Sequence, residues 1–167
     1  MIKAGEPNFS VNHTIIKYHN YTFMITDSPN VNNLDTYLEN FRKHNVSTIV
    51  RLCEPYYDAS IIEKAGMTVI DLPYEDGSTP DSSIINSWCD IVSKHKDRVI
   101  AVHCFSGLGR APLLVCVSLI ENGMEKLKAI ETIRKHRNGA LNSRQISFII
   151  NYSSKIVRNK WFSCLFQ

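Results

Sequence analysis

Two runs rich in β-branched and aromatic residues, HTIIKY (13–18) and YTFMITD (21–27), flank His19-Asn20, which is the pattern of a hairpin. Ser28-Pro29-Asn30 breaks the chain, and Leu34, Leu38 and Phe41 then recur at helical spacing with charge between them. STIVRLC (47–53) predicts a buried strand, and a short helix over 58–65 stops at Gly66. MTVIDLP makes a further strand, cut off by Pro73. The acidic loop YEDGSTPDS leads into an amphipathic helix from Ser82 to His95, and RVIAVHC is another buried strand. Helices over about 110–122, 125–137 and 143–157 finish the chain, with Gly123 and Gly139 as stops.

Strands alternating with helices predict an α/β domain whose central, mostly parallel sheet is covered on both faces. Such sheets collect ligands at the carboxyl ends of their strands. Three chemically loaded loops stand at such ends, after Cys53, after Leu72 and after His103. With 167 residues and no internal repeat, one domain over 1–160 followed by a tail at 161–167 is the simplest organisation.

Composition narrows the chemistry. No stretch has the eighteen or so apolar residues of a membrane span, and MIKAGEPNFS lacks the apolar run of a secretory signal, so a cytoplasmic protein is expected. Five cysteines at irregular spacing do not form a disulfide framework. No Cys-x-x-Cys pair or His/Cys cluster offers a metal site, and no cofactor is expected. A net charge of +3 is too mild for a nucleic-acid partner, though it suits an anionic ligand or a membrane surface.

The segment His103-Cys104-Phe105-Ser106-Gly107-Leu108-Gly109-Arg110 changes the picture. A lone cysteine after a strand is ordinarily a small buried apolar residue. Packing gives no reason for glycines and an arginine at these offsets. A strand, a tight loop and a helix starting near Arg110 would aim several amide hydrogens at one point, an anion site. Gly107 and Gly109 permit the turns, and Arg110 adds a two-toothed donor for phosphoryl oxygens. Cys104, at the floor, would be a thiolate and a nucleophile. Expelling an alkoxide or phenoxide also needs a proton donor, and DLPYEDG offers Asp71, Glu75 and Asp76.

His-Cys-x-x-Gly-x-x-Arg is the signature of cysteine-dependent phosphatases. Together with IENGM, RNGALNSRQ, TIVRLCE and the terminal CLFQ, it resembles the phosphatase of regenerating liver (PRL) family, the type IVA protein tyrosine phosphatases, from Phe9 to Gln167. The resemblance implies the compact dual-specificity phosphatase fold and a phosphorylated protein substrate. It puts Asp76 at the position of the general acid, Gln145 where relatives orient the hydrolytic water, and His103 in support of the thiolate. Cys53, by itself a structural cysteine, stands where the family forms a reversible disulfide with the nucleophile. Cys89 and Cys116 are read as core. Leu72 replaces the family's Trp before Pro73, which could loosen loop closure or alter partner contacts. Ala111, which the family shares, lacks the hydroxyl that most cysteine phosphatases use to help the thiolate depart, so slow turnover is expected. Phe105, Ser106 and Leu108 bring no cation to the loop, which favours phosphotyrosine-like substrates over polyphosphorylated inositols.

The ending is a Cys-a-a-X box that points to farnesylation, with the accompanying methylation, at Cys164. Lys155, Arg158 and Lys160 just upstream are either a solvated helix end or a weak electrostatic anchor. Lipidation would place the protein on the cytoplasmic face of the plasma membrane or endosomes. The resemblance also implies trimerisation, and a rival reading in which the thiol pocket mainly docks CNNM-type magnesium transporters. A rhodanese or arsenate-reductase type thiol enzyme would not explain the acidic loop, the NSRQ segment and the terminal box together.

Overall fold

The hairpin forms as its turn residues require: β1 (His13–Tyr18) pairs antiparallel with β2 (Tyr21–Thr26), and His19 takes a positive φ of 50° between them. These elements belong to a computed structural model that describes residues 11–154. Next come α1 (Leu34–Lys43), β3 (Val46–Arg51), α2 (Ala59–Lys64), β4 (Thr68–Asp71) and α3 (Ser82–Lys94). After them follow β5 (Val99–His103), α4 (Arg110–Glu121), α5 (Lys126–His136) and α6 (Ser143–Asn151). The five strands lie in the order β1-β2-β5-β3-β4, and every pairing except β1 with β2 is parallel.

Period-two alternation sorts the strand side chains into two cores. Phe23, Ile25, Val50, Ile100 and Val102 face one side, where Trp88 of α3 and the almost wholly buried α4 pack with α5 and α6. Met24, Ile49 and Ala101 face the other, against Leu34, Tyr37, Leu38 and Phe41 of α1 and Ile62 of α2. The indole of Trp88, fully buried, donates to Leu114 O at 2.8 Å and Ser118 Oγ at 2.7 Å, so its polar end costs little inside the core. Helices on both faces and a mostly parallel sheet are what the element alternation predicts.

Three boundaries differ from those expectations. β3 ends at Arg51 rather than Cys53, because the Leu52 carbonyl turns away to accept Arg110 Nη1 at 2.8 Å. β4 spans only Thr68–Asp71, short of Met67 and Pro73, and at the sheet edge it is only partly buried. α6 stops at Asn151 instead of running to 157. Tyr152 adopts an extended backbone there, and its hydroxyl donates to Glu121 Oε1 at 2.5 Å. Of the helical cysteines, Cys116 is fully buried, whereas Cys89 is only half-buried. Among the described residues no helix is long and apolar enough to cross a membrane, and no three His, Cys, Asp or Glu side chains gather as a metal site. Lys155, Arg158, Lys160 and Cys164 lie outside the described residues.

Candidate active site

Parallel register brings His103 at the end of β5 beside Arg51 at the end of β3, so the loops after both strands open at one edge. The Cys104 loop is shaped by what its carbonyls do. Phe105 O accepts from Ser28 N at 3.0 Å and Leu108 O from Leu141 N at 2.8 Å. Between them, Ser106 O and Gly107 O accept from Arg137 at 3.5 and 2.6 Å. In a planar trans peptide the N–H points opposite to the preceding C=O. Four outward carbonyls therefore turn the amides of Ser106, Gly107, Leu108 and Gly109 toward the inside of the loop. Leu108 N–H meets only Ser106 Oγ, at a long 3.4 Å. Gly107 has a φ of +68°, and a Cβ there would stand 2.5 Å from Arg137 Nη2, so both the dihedral and the space demand glycine. Cys104 is buried beneath this ring, while Phe105 projects into solvent at 62% exposure.

Arg110 opens α4 and reaches back across the strand ends. Its Nη1 donates to Leu52 O at 2.8 Å and Tyr74 O at 2.9 Å, which fixes the guanidinium plane. Asp76 Oδ1 stands 3.1 Å from Nε, an ion pair, but off the N–H direction, so the buried Nε is left without a hydrogen-bond acceptor. An unpaired donor on a 6% exposed arginine is expensive unless a ligand oxygen completes it. The Tyr74 hydroxyl donates to Arg110 O at 3.0 Å and ties the acidic loop to the start of α4. Together Cys53, Glu54, Pro73, Tyr74, Glu75, Asp76 and Arg110 line a pocket of about 420 Å³. A larger cleft of about 580 Å³, between the start of α3 and the end of α6, has no cation in its lining, and its carboxylate, Asp81, already caps α3.

The three carboxylates of the acidic loop separate cleanly. Asp71 receives both Arg51 Nε at 2.5 Å and Nη2 at 2.7 Å, and this bidentate pairing holds its carboxyl below the usual range. That carboxylate is structural. Glu75 is exposed, and Asp76, 73% exposed at its side chain, is the one beside Arg110. Arg51 also donates to Tyr57 O at 2.9 Å and lies 4.9 Å above the Tyr57 ring. The Tyr57 hydroxyl is 2.9 Å from His103 Nε2. Burial pushes the His103 imidazole down to about 4, so near neutral pH it is an uncharged brace under the loop and not a proton carrier.

Cys53 lies buried at the same edge, 3.9 Å from Ser28 Oγ and 4.0 Å from His103 Nδ1. Burial raises its thiol, and the charge of Cys104 acts in the same direction. Both cysteines are free thiols here. Ala111 is fully buried directly after Arg110. Gln145 is fully buried as well, not on the helix surface. It closes a capping box with Asn142, donates from Nε2 to Ser78 O at 3.2 Å, and lies 3.2 Å from where a Gly109 Cβ would be. This amide links the acidic segment to the thiol loop.

Four contributors had drawn no attention in the sequence: Arg51, Tyr57, Tyr74 and Arg137. Only Arg51 left a signal, a charge inside an otherwise apolar strand.

Comparison with known proteins agrees with this geometry. The model of a polymorphic toxin system DSP-PTPase phosphatase matches residues 26–124. A protein tyrosine phosphatase type IVA A of Dictyostelium discoideum is 40% identical over 158 residues, 92% of this chain and 93% of its own length. Human protein tyrosine phosphatase type IVA 3 is 40% identical over 144 residues, 84% of this chain and 83% of its own. A solved protein tyrosine phosphatase from Leishmania major superposes with a TM-score of 0.77 at 34% identity, over 85% of this chain and 99% of that one. Kinase associated phosphatase, at 19% identity and a TM-score of 0.65 over 92% and 97% of the two chains, shares the fold. The chain belongs to the type IVA protein tyrosine phosphatase family, cysteine-based enzymes of the dual-specificity fold.

Proposed function

We propose that the chain hydrolyses phosphotyrosine-type phosphomonoesters in two steps, the second of them slow. Cys104 Sγ attacks phosphorus while the inward amides and Arg110 Nε–H take the three non-bridging oxygens. The ester P–O bond breaks, and its oxygen takes a proton from Asp76. Water then attacks the phosphocysteine and returns a proton to Asp76, the S–P bond breaks, and inorganic phosphate leaves. The observation that carries this reading is the unpaired, buried Arg110 Nε beside a thiol loop whose four carbonyls all face outward. In this reading the attacking water of the second step falls to Gln145, whose amide lies against Gly109. Ala111 gives the departing sulfur no hydroxyl, which makes that step limiting. Rapid-quench kinetics with an aryl phosphate test this: a burst equal to the enzyme concentration is expected, followed by slow turnover, and Cys104→Ser should abolish both. A linear time course with fast turnover, or turnover by the serine variant, would refute it.

A second reading, docking of a CNNM-type transporter at the same pocket, draws on its apolar rim. Tyr56 and Phe105, 48% and 62% exposed, meet edge-on at 6.0 Å beside the opening, as a protein-binding mouth would require. The Cys53–Cys104 disulfide, prenylation at Cys164 with membrane residence, and trimerisation complete the proposal. Support for the first is that Cys53 is buried at the same sheet edge, close enough to feel the charge of Cys104.

A further inference from the structure

Arg137 follows the end of α5, far in sequence from Cys104, yet it is 4% exposed and donates to three different segments. Nε goes to Gly107 O at 2.6 Å and Nη2 to Ser106 O at 3.5 Å. Nη1 is shared among Thr14 Oγ1 at 3.2 Å, Asn12 O at 3.3 Å and Ile25 O at 3.4 Å. A guanidinium is rigid and planar, so fixing one edge on β1 and β2 fixes the other against the loop. Burial lowers its affinity for the proton, and Asp27 and Cys104 offset this only in part, which places the cation within electrostatic reach of the sulfur.

We propose that Arg137 is a second arginine of the phosphate site, a positioning residue that never touches substrate. It holds the Ser106 and Gly107 carbonyls outward, so that the Gly107 and Leu108 amides face the oxyanion. Its buried positive charge also favours the Cys104 thiolate from behind the loop. The inference rests on the reading of Cys104 as nucleophile, and it assigns separate tasks to the planar fork and to the charge.

Arg137→Met and Arg137→Lys separate them. The readouts are inhibition by orthovanadate and the pH midpoint of Cys104 alkylation by iodoacetamide, followed by peptide mass, at temperatures where each variant is folded. Met should weaken vanadate by about tenfold or more, the worth of one charge-assisted hydrogen bond, and raise the alkylation midpoint. Lys keeps the charge but cannot bridge two carbonyls, so its alkylation midpoint should stay near wild type while vanadate still weakens. A merely structural arginine would lower the unfolding midpoint and leave both readouts of the folded protein unchanged, and that result overturns the proposal. Should Met fail to fold, Thr14→Val removes one acceptor from the distal edge. It should weaken vanadate roughly threefold, and an unchanged value sinks the idea. If wild type itself neither binds vanadate nor shows a reactive Cys104, the nucleophile reading falls, and this inference with it.

Discussion

Replacing Tyr57 by phenylalanine removes a single oxygen from a chain of contacts that runs from Asp71 through Arg51 and Tyr57 to His103. The Tyr57 side chain is 5% exposed and His103 is 1% exposed, so no water can take the place of the lost hydroxyl. Ring volume is kept, and with it the stacking of Arg51 on the ring 4.9 Å away, so cavity terms are negligible. What remains is His103 Nε2 buried without its 2.9 Å partner. Leaving such a group unsatisfied costs about 1–3 kcal/mol. Urea unfolding at pH 7 should show this as a lower midpoint with an unchanged slope, and thermal unfolding as roughly 2–4 °C per kcal/mol. His103 immediately precedes Cys104, so a freed imidazole should also broaden the alkylation pH profile of that thiol. Combining Tyr57→Phe with His103→Asn tests the pairing directly, since the double variant should lose well under the sum of the two single losses. Additive losses, or a Tyr57→Phe cost below about 0.3 kcal/mol, would refute the reasoning.

Burial holds His103 at about 4 against an ordinary 6.5, so the unfolded chain takes up a proton that the folded chain refuses as pH falls between those values. The stability it contributes is complete above about 6.5 and lost toward 4, up to roughly 3 kcal/mol. Urea midpoints over that range should therefore fall less steeply in His103→Asn than in wild type. Gly107→Ala meets Arg137 Nη2 at 2.5 Å and should abolish vanadate binding, whereas Gly66→Ala, with φ of +86° but nothing within 4 Å, should cost only about 1–2 kcal/mol of backbone strain. Among the carboxylates, Asp76→Asn should flatten the alkaline limb of kcat/KM, since a general acid is lost as pH rises. Asp71→Asn should leave that limb in place and lower stability through Arg51. Ala111→Ser restores a donor to the leaving sulfur. It should shrink the burst and raise steady-state turnover by roughly tenfold or more, measured by rapid quench.

The sheet was legible because its strands are short apolar runs separated by turn residues, and because parallel pairing demands helical crossovers. The thiol loop was legible because His103, Cys104, Gly107, Gly109 and Arg110 are neighbours in sequence as well as in space. The remainder of the site is assembled at a distance. Arg137 reaches Gly107 across 30 positions and Asn12 across 125, and nothing in Arg-Asn-Gly hints at either. Gln145 reads as a surface helix residue until Asn142 caps α6 and turns its amide onto Ser78. Tyr57 sits in an acidic, turn-like stretch, yet the Arg51 fork draws it under the sheet edge. Local composition marks the thiol loop, and tertiary contact decides what supports it.

Three arginines, Arg51, Arg110 and Arg137, are each 4–6% exposed around this one sheet edge, and their charges are not balanced alike. Arg51 has a bidentate carboxylate and is electrically complete. Arg110 has Asp76 at ion-pair distance but an unbonded Nε, and Arg137 forms no ion pair among the described residues. Burying a cation without a fully bonded anion costs several kcal/mol, so two incompletely paired arginines flanking one thiol would be a standing defect in an inert core. They cease to be a defect if the missing negative charge is supplied by the sulfur and by a dianion that comes and goes. The same imbalance explains why the loop carbonyls are all tied outward: any carbonyl facing inward would satisfy Arg110 and close the site to phosphate. Complete pairing is spent on Arg51, where shape must be held; on the proposed reading, Arg110 and Arg137 complete theirs with the bound phosphate and the Cys104 sulfur.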